Sequence, residues 1–394
     1  MASDGCFLDE IVDRRNTNSI KWDTIASPAG KRTILPMWVA DMDFRAPDPV
    51  LAAMRDAVEH GVFGYAGIPE DVWHTVSDWA NKRYGWEVPP EWFSYTAGVI
   101  TGLNIAVQTF TRPGEKIVIQ PPVYPPFHSS ALANGRHLIY NNLLRNDEHM
   151  YRMDLKGLSD QIDADTRMLV LCSPHNPVGR CWSRQELENL ADLCVERDLI
   201  VFSDEIHADL LLDGRRHTPF AALGPEIARR TITGIAPSKT FNIAGLKASV
   251  IITPDAVLHH AFDAAQKKTF GLYDANTFAV VGMQAAYRHG EQWLDTVLEY
   301  LKANRDYAVD FIEAHLPGVH VTPSEATFLL WLDFSPTGLT HDEVSEKLEG
   351  EARVLLNDGR CFGANGEGFF RFNFGCPRET LRSALQRIAD AFSR

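Results

Sequence analysis

Lys239 stands in APSKTFNIAGL (236–246) among small and apolar neighbours, directly after the strand-like run TITGIA. Burying an ammonium group is costly, so a lysine in that setting is partnered, deprotonated or covalently occupied, unless its stem carries the charge out to solvent. A desolvated amine is both a nucleophile and a proton acceptor. Asp204 closes a second apolar run in SDEIHADL (203–210), with Glu205 beside it and His207 three residues on. Carboxylates crowded at the end of an apolar strand either cap the following turn or, where partly buried, need a partner. Asn176 sits in SPHNPVGR (173–180), where Asn followed by Pro is also a ready turn former. Arg371 lies in FFRFNFG (369–375), where a guanidinium among aromatics needs an anion or an exit to solvent. Read together, the four are more specific than any one of them.

The elements that must position these groups follow from hydrophobic pattern. KIVIQ (116–120), RMLVLCS (167–173), LIVFSDE (199–205), RTITGIA (230–236) and SVIIT (249–253) each read as a strand buried on both faces. Helical patterns lie between them. The clearest is SRQELENLADLCVERD, where Ser183 and Glu186 form a capping box ahead of apolar residues at helical spacing. Such alternation predicts an α/β domain with a mostly parallel sheet, whose functional loops lie at the carboxyl ends of the strands. From residue 291 the texture changes. One long helix is expected over 291–316, stopped by LPG, then strand-like ATFLLWLDF, a helical pattern at 340–349, strand-like GFFRFNFG and a closing helix to Arg394. The expected division is an N-terminal segment (1–48) joining a small α+β domain (289–394), with a large domain over 49–288.

The net charge of -14 and the lack of any Lys/Arg-rich run argue against nucleic-acid binding. No run of about 18 apolar residues offers a membrane span. The acidic start MASDGCFLDE resembles neither a signal peptide nor a presequence. Six scattered cysteines without a CxxC pair fit reduced thiols better than a disulfide framework or a zinc site, so a cytoplasmic protein without a metal site is expected.

The stretches LPMWVADMDF (35–44), FGYAGIPE (63–70), CSPHNPVGR (172–180), SDEIHADL (203–210) and APSKTFNIAG (236–245) run through nearly the whole chain. Carrying them, the chain resembles the fold-type I enzymes that use pyridoxal 5'-phosphate. It is similar to the class I and II aminotransferase superfamily, and within it to the cystathionine β-lyase group called MalY/PatB or cystalysin-like.

The resemblance implies a role for each matching residue. Lys239 matches the lysine that holds the cofactor covalently and later moves the substrate Cα proton. Asp204 matches the carboxylate that pairs with the pyridine nitrogen, and Asn176 the donor to the cofactor's phenolic oxygen. His207 falls where the wider superfamily has Tyr. Tyr124, in PPVYPPF, matches the aromatic stacked on the pyridine ring; Pro125 takes the place of a second Tyr found in some relatives. The phosphate is expected at the helix start in AGVITGLNIAV, on the Val99 and Ile100 N–H groups with the Ser238 hydroxyl. Ala236 and Lys247 stand where transaminases often have Ser or Thr and Arg, leaving Lys247 as a point charge. Tyr65 matches a tyrosine that reaches the phosphate of the neighbouring subunit, which implies a homodimer. Arg371 matches the fork for the substrate α-carboxylate, supported by Ala40 and Asp41, with Trp38 and Phe44 as pocket lining or packing.

The activity so implied is a C–S β-lyase, converting L-cystathionine or another cysteine S-conjugate into a thiol, pyruvate and ammonia. The rivals are an aminotransferase, for which Lys267 or Lys268 is a candidate second cation, a decarboxylating variant in secondary metabolism, and a regulatory protein that binds the cofactor without turning over.

Overall fold

The computed structural model describes residues 7–25 and 34–393; Cys6, one of the six cysteines read as reduced, lies outside them. Seven short runs build the main sheet: β1 (Phe93–Thr96), β2 (Lys116–Ile119), β3 (His137–Tyr140), β4 (Thr166–Cys172), β5 (Ile200–Asp204), β6 (Thr231–Ile235) and β7 (Ser249–Ile252). Their order is β1-β7-β6-β5-β4-β2-β3. Only β7 runs antiparallel to its neighbours, so the sheet is mostly parallel. Burial on both faces explains why β5 to β7 hold mostly apolar residues, with only small or strand-end polar ones such as Thr231, Thr233 and Ser249. The edge strand β3 is half-buried or exposed at every residue.

The register aligns Cys172 with Asp204 and Asp204 with Gly234. The carboxyl ends of β4, β5 and β6 therefore lie side by side, and the turns that follow them carry Asn176, His207 and Lys239 to one edge. Helices cover the sheet: α1 (Asp48–His60), α2 (Glu70–Tyr84), α3 (Val99–Phe110), α4 (Arg184–Glu196) and α5 (Thr277–His289). The capping box of Ser183 and Glu186 opens α4. Two glycines seat α3 on the sheet. A Cβ on Gly102 would stand 2.4 Å from Ile251 Cδ1, and one on Gly234 would stand 2.6 Å from Val99 Cγ1.

The chain continues into α6 (Glu291–His315) and a four-stranded antiparallel sheet of β8 (His320–Val321), β9 (Leu329–Asp333), β10 (Asn357–Asp358) and β11 (Phe369–Asn373), ordered β8-β9-β11-β10. It closes with α7 (Arg378–Phe392). Arg371 is at the centre of β11, opposite Trp331 and Asn357. Leu35–Pro36 pairs in parallel with Val354–Leu355 as a separate two-stranded sheet, and the Asn373 N–H of β11 donates to the Met37 carbonyl at 2.8 Å. Among the described residues no helix is long and apolar enough to cross a membrane, and no cluster of His, Cys, Asp and Glu could hold a metal ion. Cys172, Cys181, Cys194, Cys361 and Cys376 are free thiols.

Candidate active site

A cavity of about 330 Å³ opens where the strand ends of the main sheet meet the N-terminal loop. Its floor includes the start of α3, with Gly98, Val99, Ile100 and Thr101 in the wall. Gly98 precedes the helix without any side-chain cap, so the N–H groups of the first turn point outward unsatisfied. Such a terminus favours an anion through its free donors and its dipole. Ser238 and Lys247 line the same end; Lys247 is exposed and adopts a left-handed conformation (φ 60).

The two adjacent carboxylates after β5 are sorted by their partners. Glu205 accepts from Ser203 Oγ (2.7 Å), the Phe220 N–H (3.0 Å) and His217 Nε2 (2.7 Å), and is structurally committed. Among the described residues the Asp204 carboxylate accepts only from the Ile206 N–H, at 3.1 Å, and it faces the cavity. Burial pushes its carboxyl up to about 7, against the attraction of Lys239. A buried carboxylate with one local hydrogen bond calls for a cationic N–H opposite it.

Lys239 occupies the single helical turn Pro237–Thr240 that follows β6. Its Nζ donates to the Ala40 carbonyl at 2.5 Å. Burial, reinforced by the Arg371 charge, lowers the ammonium to about 8, so that the free amine is far more accessible than for a lysine in water. His207 is buried edge-on to Phe328, with Nδ1 unpartnered. Burial and then the charges of Lys239 and Arg371 push it down to about 3, which keeps the imidazole neutral. Tyr124 is half-buried in the cavity wall, edge-on to Phe127 at 6.0 Å, and burial raises its phenol. Pro125 begins the helix Pro125–Leu132.

Arg371 is 2% exposed and has no carboxylate partner among the described residues. Its Nη1 donates to Asn176 Oδ1 (3.0 Å), its Nη2 to the Trp38 carbonyl (2.9 Å), and the guanidinium lies 5.0 Å over the Phe362 ring. Nε is buried and unpartnered. Desolvation lowers this group to about 10, the signature of a buried cation without its anion.

The remaining expected residues are distributed unevenly. Ala40 reaches the cavity, whereas the Asp41 carboxylate turns to Arg14 (2.7 Å) and Lys21 (3.5 Å). Trp38 is half-buried and donates to the Lys21 carbonyl at 3.2 Å; Phe44 packs in the core, edge-on to Tyr300. Lys267 pairs with Asp263 at 2.9 Å, and neither it nor Lys268 lines the cavity. Tyr65 is 96% exposed. Three contributors carry no signal in the sequence: Cys172 in the wall, Phe362 under Arg371, and the His217 hydrogen-bonded to Glu205.

An anion cradle, a buried carboxylate awaiting a cationic N–H and an amine of lowered pKa fit a phosphorylated pyridine aldehyde, and the fold and site together define a pyridoxal 5'-phosphate-dependent enzyme of fold type I. The model for aminotransferase class I and II matches residues 38–388, and the chain belongs to that family. It is 44% identical, over 98% of its length and 100% of the relative's, to cystathionine β-lyase PatB of Bacillus subtilis strain 168. Cystalysin of Treponema denticola, a structure containing pyridoxal 5'-phosphate, superposes with a TM-score of 0.94 at 33% identity, covering 98% of both chains. The pyridoxal-phosphate-bound C–S lyase of Staphylococcus hominis superposes with a TM-score of 0.89 at 32% identity, covering 98% of this chain and 99% of that one.

Proposed function

We propose that the protein is a C–S β-lyase that takes L-cystathionine or a related cysteine S-conjugate to a thiol, pyruvate and ammonia. What favours elimination is the 44% identity with a cystathionine β-lyase over 98% of the chain. When bound, pyridoxal 5'-phosphate supplies an electron sink for the pair left at Cα. Arg371 receives the α-carboxylate on Nε and its neighbouring N–H and so fixes the orientation of Cα. Lys239, whose ammonium is lowered to about 8, would anchor the cofactor and then take the Cα proton as the free amine. Loss of the thiolate from Cβ completes the elimination, and water hydrolyses the released aminoacrylate, through its imine tautomer, to pyruvate and ammonia. Asp204 would pair with the pyridine nitrogen and keep it protonated, Asn176 would offer Nδ2 to the phenolic oxygen, and Tyr124 would cover a face of the ring. His207 packs behind them as a neutral imidazole. The first turn of α3 at Val99 and Ile100, with Ser238 and Lys247, holds the phosphate.

The working form is read as a cytoplasmic homodimer in which Tyr65 completes the partner's phosphate site. In support, Tyr65 stands 96% exposed near exposed Val62, Phe63 and Tyr273, an apolar surface suited to a second copy. Domain limits of 49–288 and 289–394, with residues 1–48 joining the small domain, belong to the same reading.

The test is a panel of cysteine S-conjugates, with pyruvate and free thiol measured alongside keto-acid-dependent amino transfer. Stoichiometric pyruvate and thiol support the lyase. Amino transfer without pyruvate overturns it in favour of an aminotransferase.

A further inference from the structure

Residues 14–22 contribute side chains that do not line the cavity yet converge on the loop forming its wall. Lys21 is 1% exposed, and its Nζ donates to Asp43 Oδ2 at 2.7 Å and to the Asp41 carbonyl at 3.3 Å. Arg14 spans the same two acids, with Nη2 to Asp41 Oδ2 and Nη1 to Asp43 Oδ1, each at 2.7 Å. Its Nη1 also reaches the Met42 carbonyl at 3.2 Å. Trp22 Nε1 donates to Asp43 Oδ1 at 3.0 Å, and Trp38 Nε1 returns to the Lys21 carbonyl at 3.2 Å. Two cations thus meet two carboxylates in a cluster whose Lys21–Asp43 half is buried and whose Arg14 and Asp41 side chains are each 21% exposed.

The other face of this loop belongs to the site. The Trp38 carbonyl accepts from Arg371 and the Ala40 carbonyl from Lys239, while Asn373 Nδ2 bridges the Val39 (2.6 Å) and Asp41 (2.7 Å) carbonyls. Apolar packing of similar volume stabilises a fold as well as a buried ion cluster does. Charge-assisted hydrogen bonds add direction, which packing does not.

We propose that Lys21 is a positioning residue for Arg371. By locking Asp41 and Asp43 together with Arg14, it holds the Trp38 carbonyl where it takes one edge of the guanidinium and leaves Nε turned to the carboxylate of an amino-acid substrate. The inference rests on the reading of Arg371 as the carboxylate fork.

The test compares Lys21→Met, Lys21→Arg, Lys21→Met/Asp43→Asn and Arg371→Lys in the holoenzyme. It measures KM and kcat, competitive inhibition by propionate as a plain carboxylate, thermal midpoint, and amide exchange over residues 38–43. Lys21→Met is expected to raise KM and the propionate inhibition constant about tenfold, ~1.4 kcal/mol, with kcat little changed and exchange over 38–43 accelerated. Lys21→Arg recovers part of the binding. The double variant, which leaves no unpaired charge, recovers the thermal midpoint but not the binding, and carries the test if the single variant does not fold. A stable double variant that binds propionate as the parent does overturns the proposal. If Arg371→Lys leaves propionate binding unchanged, the fork reading fails, and the proposal falls with it for that distinct reason.

Discussion

Arg371 Nη1 donates to Asn176 Oδ1 at 3.0 Å, which ties the centre of β11 to the turn after β4 across 195 positions of sequence. Because the amide oxygen is spent on Arg371, the Asn176 Nδ2 is the edge left for a ligand in the cavity. One contact therefore orients two groups with different targets. Asn176→Asp turns the neutral contact into an ion pair that competes with a substrate carboxylate for the guanidinium. KM is expected to rise about 10–100-fold, 1.4–2.7 kcal/mol, more than for Asn176→Ala. Steady-state kinetics of both variants on one conjugate checks the order.

Lys239→Ala removes both the covalent anchor and the base. Turnover is expected to fall at least about a thousandfold, since positioned proton transfer alone contributes on the order of 10²–10⁴. In the parent protein, borohydride followed by proteolysis should leave a pyridoxyl mass on the peptide holding Lys239. The variant should bind cofactor without that adduct while keeping its fold.

Asp204 and Lys239 also make the cofactor-free protein pH-sensitive. The Asp204 carboxyl is raised from 3.8 to about 7, so between those values the folded state holds a proton that the unfolded state has lost. Its contribution to stability falls as pH rises through that window, and the full penalty stands above about 7. Lys239 is lowered from 10.5 to about 8, so its penalty is full below about 8 and is relieved as pH rises toward 10.5. Asp204→Asn should therefore raise the thermal midpoint of the apoprotein at pH 8, by about 1 °C per kcal/mol relieved for a chain of 394 residues, with no gain below pH 4. Calorimetry at the two pH values decides it. Activity is lost in the same variant, the pattern expected where a site holds strained charge for function.

The seat of α3 is equally testable. A Cβ at Gly234 would stand 2.6 Å from Val99 Cγ1 and 3.4 Å from Phe202 Cζ, so Gly234→Ala must push the first turn of the helix off the sheet. Overpacking of this kind costs about 1–3 kcal/mol. Affinity for pyridoxal 5'-phosphate is expected to weaken more than that for pyridoxal, because the displaced N–H groups face the phosphate end. Titration of the apoprotein with both compounds separates this from a general loss of fold.

The elements carrying the chemistry were readable because each turns from a buried strand to a polar turn within a few residues, as at Ser203–Asp204 and Ile235–Lys239. Long unbroken runs such as LIVF and the capping box at Ser183 are local signals, and β5 and α4 follow them. The edge strand β3, HLIY, has no buried face to impose a pattern, and β1 is four residues with a serine and a threonine; neither was read. The second tier of the site was invisible for another reason. Lys21 in IKWD looks like any surface lysine, because its partner Asp43 is 22 residues away and only the folded loop brings them to 2.7 Å. His217 is hidden in the same way behind Glu205. Family likeness supplied roles for Tyr124 and Ser238 that spacing alone does not.

Tyr65 offers the sharpest test of whether the sites are shared between two chains. A phenol 96% exposed does nothing for its own chain that water would not do. If it serves the partner's phosphate, Tyr65→Phe should weaken cofactor retention while leaving the thermal midpoint of each chain's core nearly unchanged. Tyr65→Ala and Lys239→Ala should each be impaired as pure dimers, and in opposite halves of a shared site. A hybrid dimer then contains one site with an intact Lys239 and an intact Tyr65 from the other chain. After random subunit exchange at equal amounts, half the dimers are hybrids and about a quarter of all sites regain both groups. Recovery of activity toward that fraction is expected on mixing, and it should follow the rate of exchange. If Tyr65 acted within its own chain, no site in the mixture would regain both residues and no activity would return.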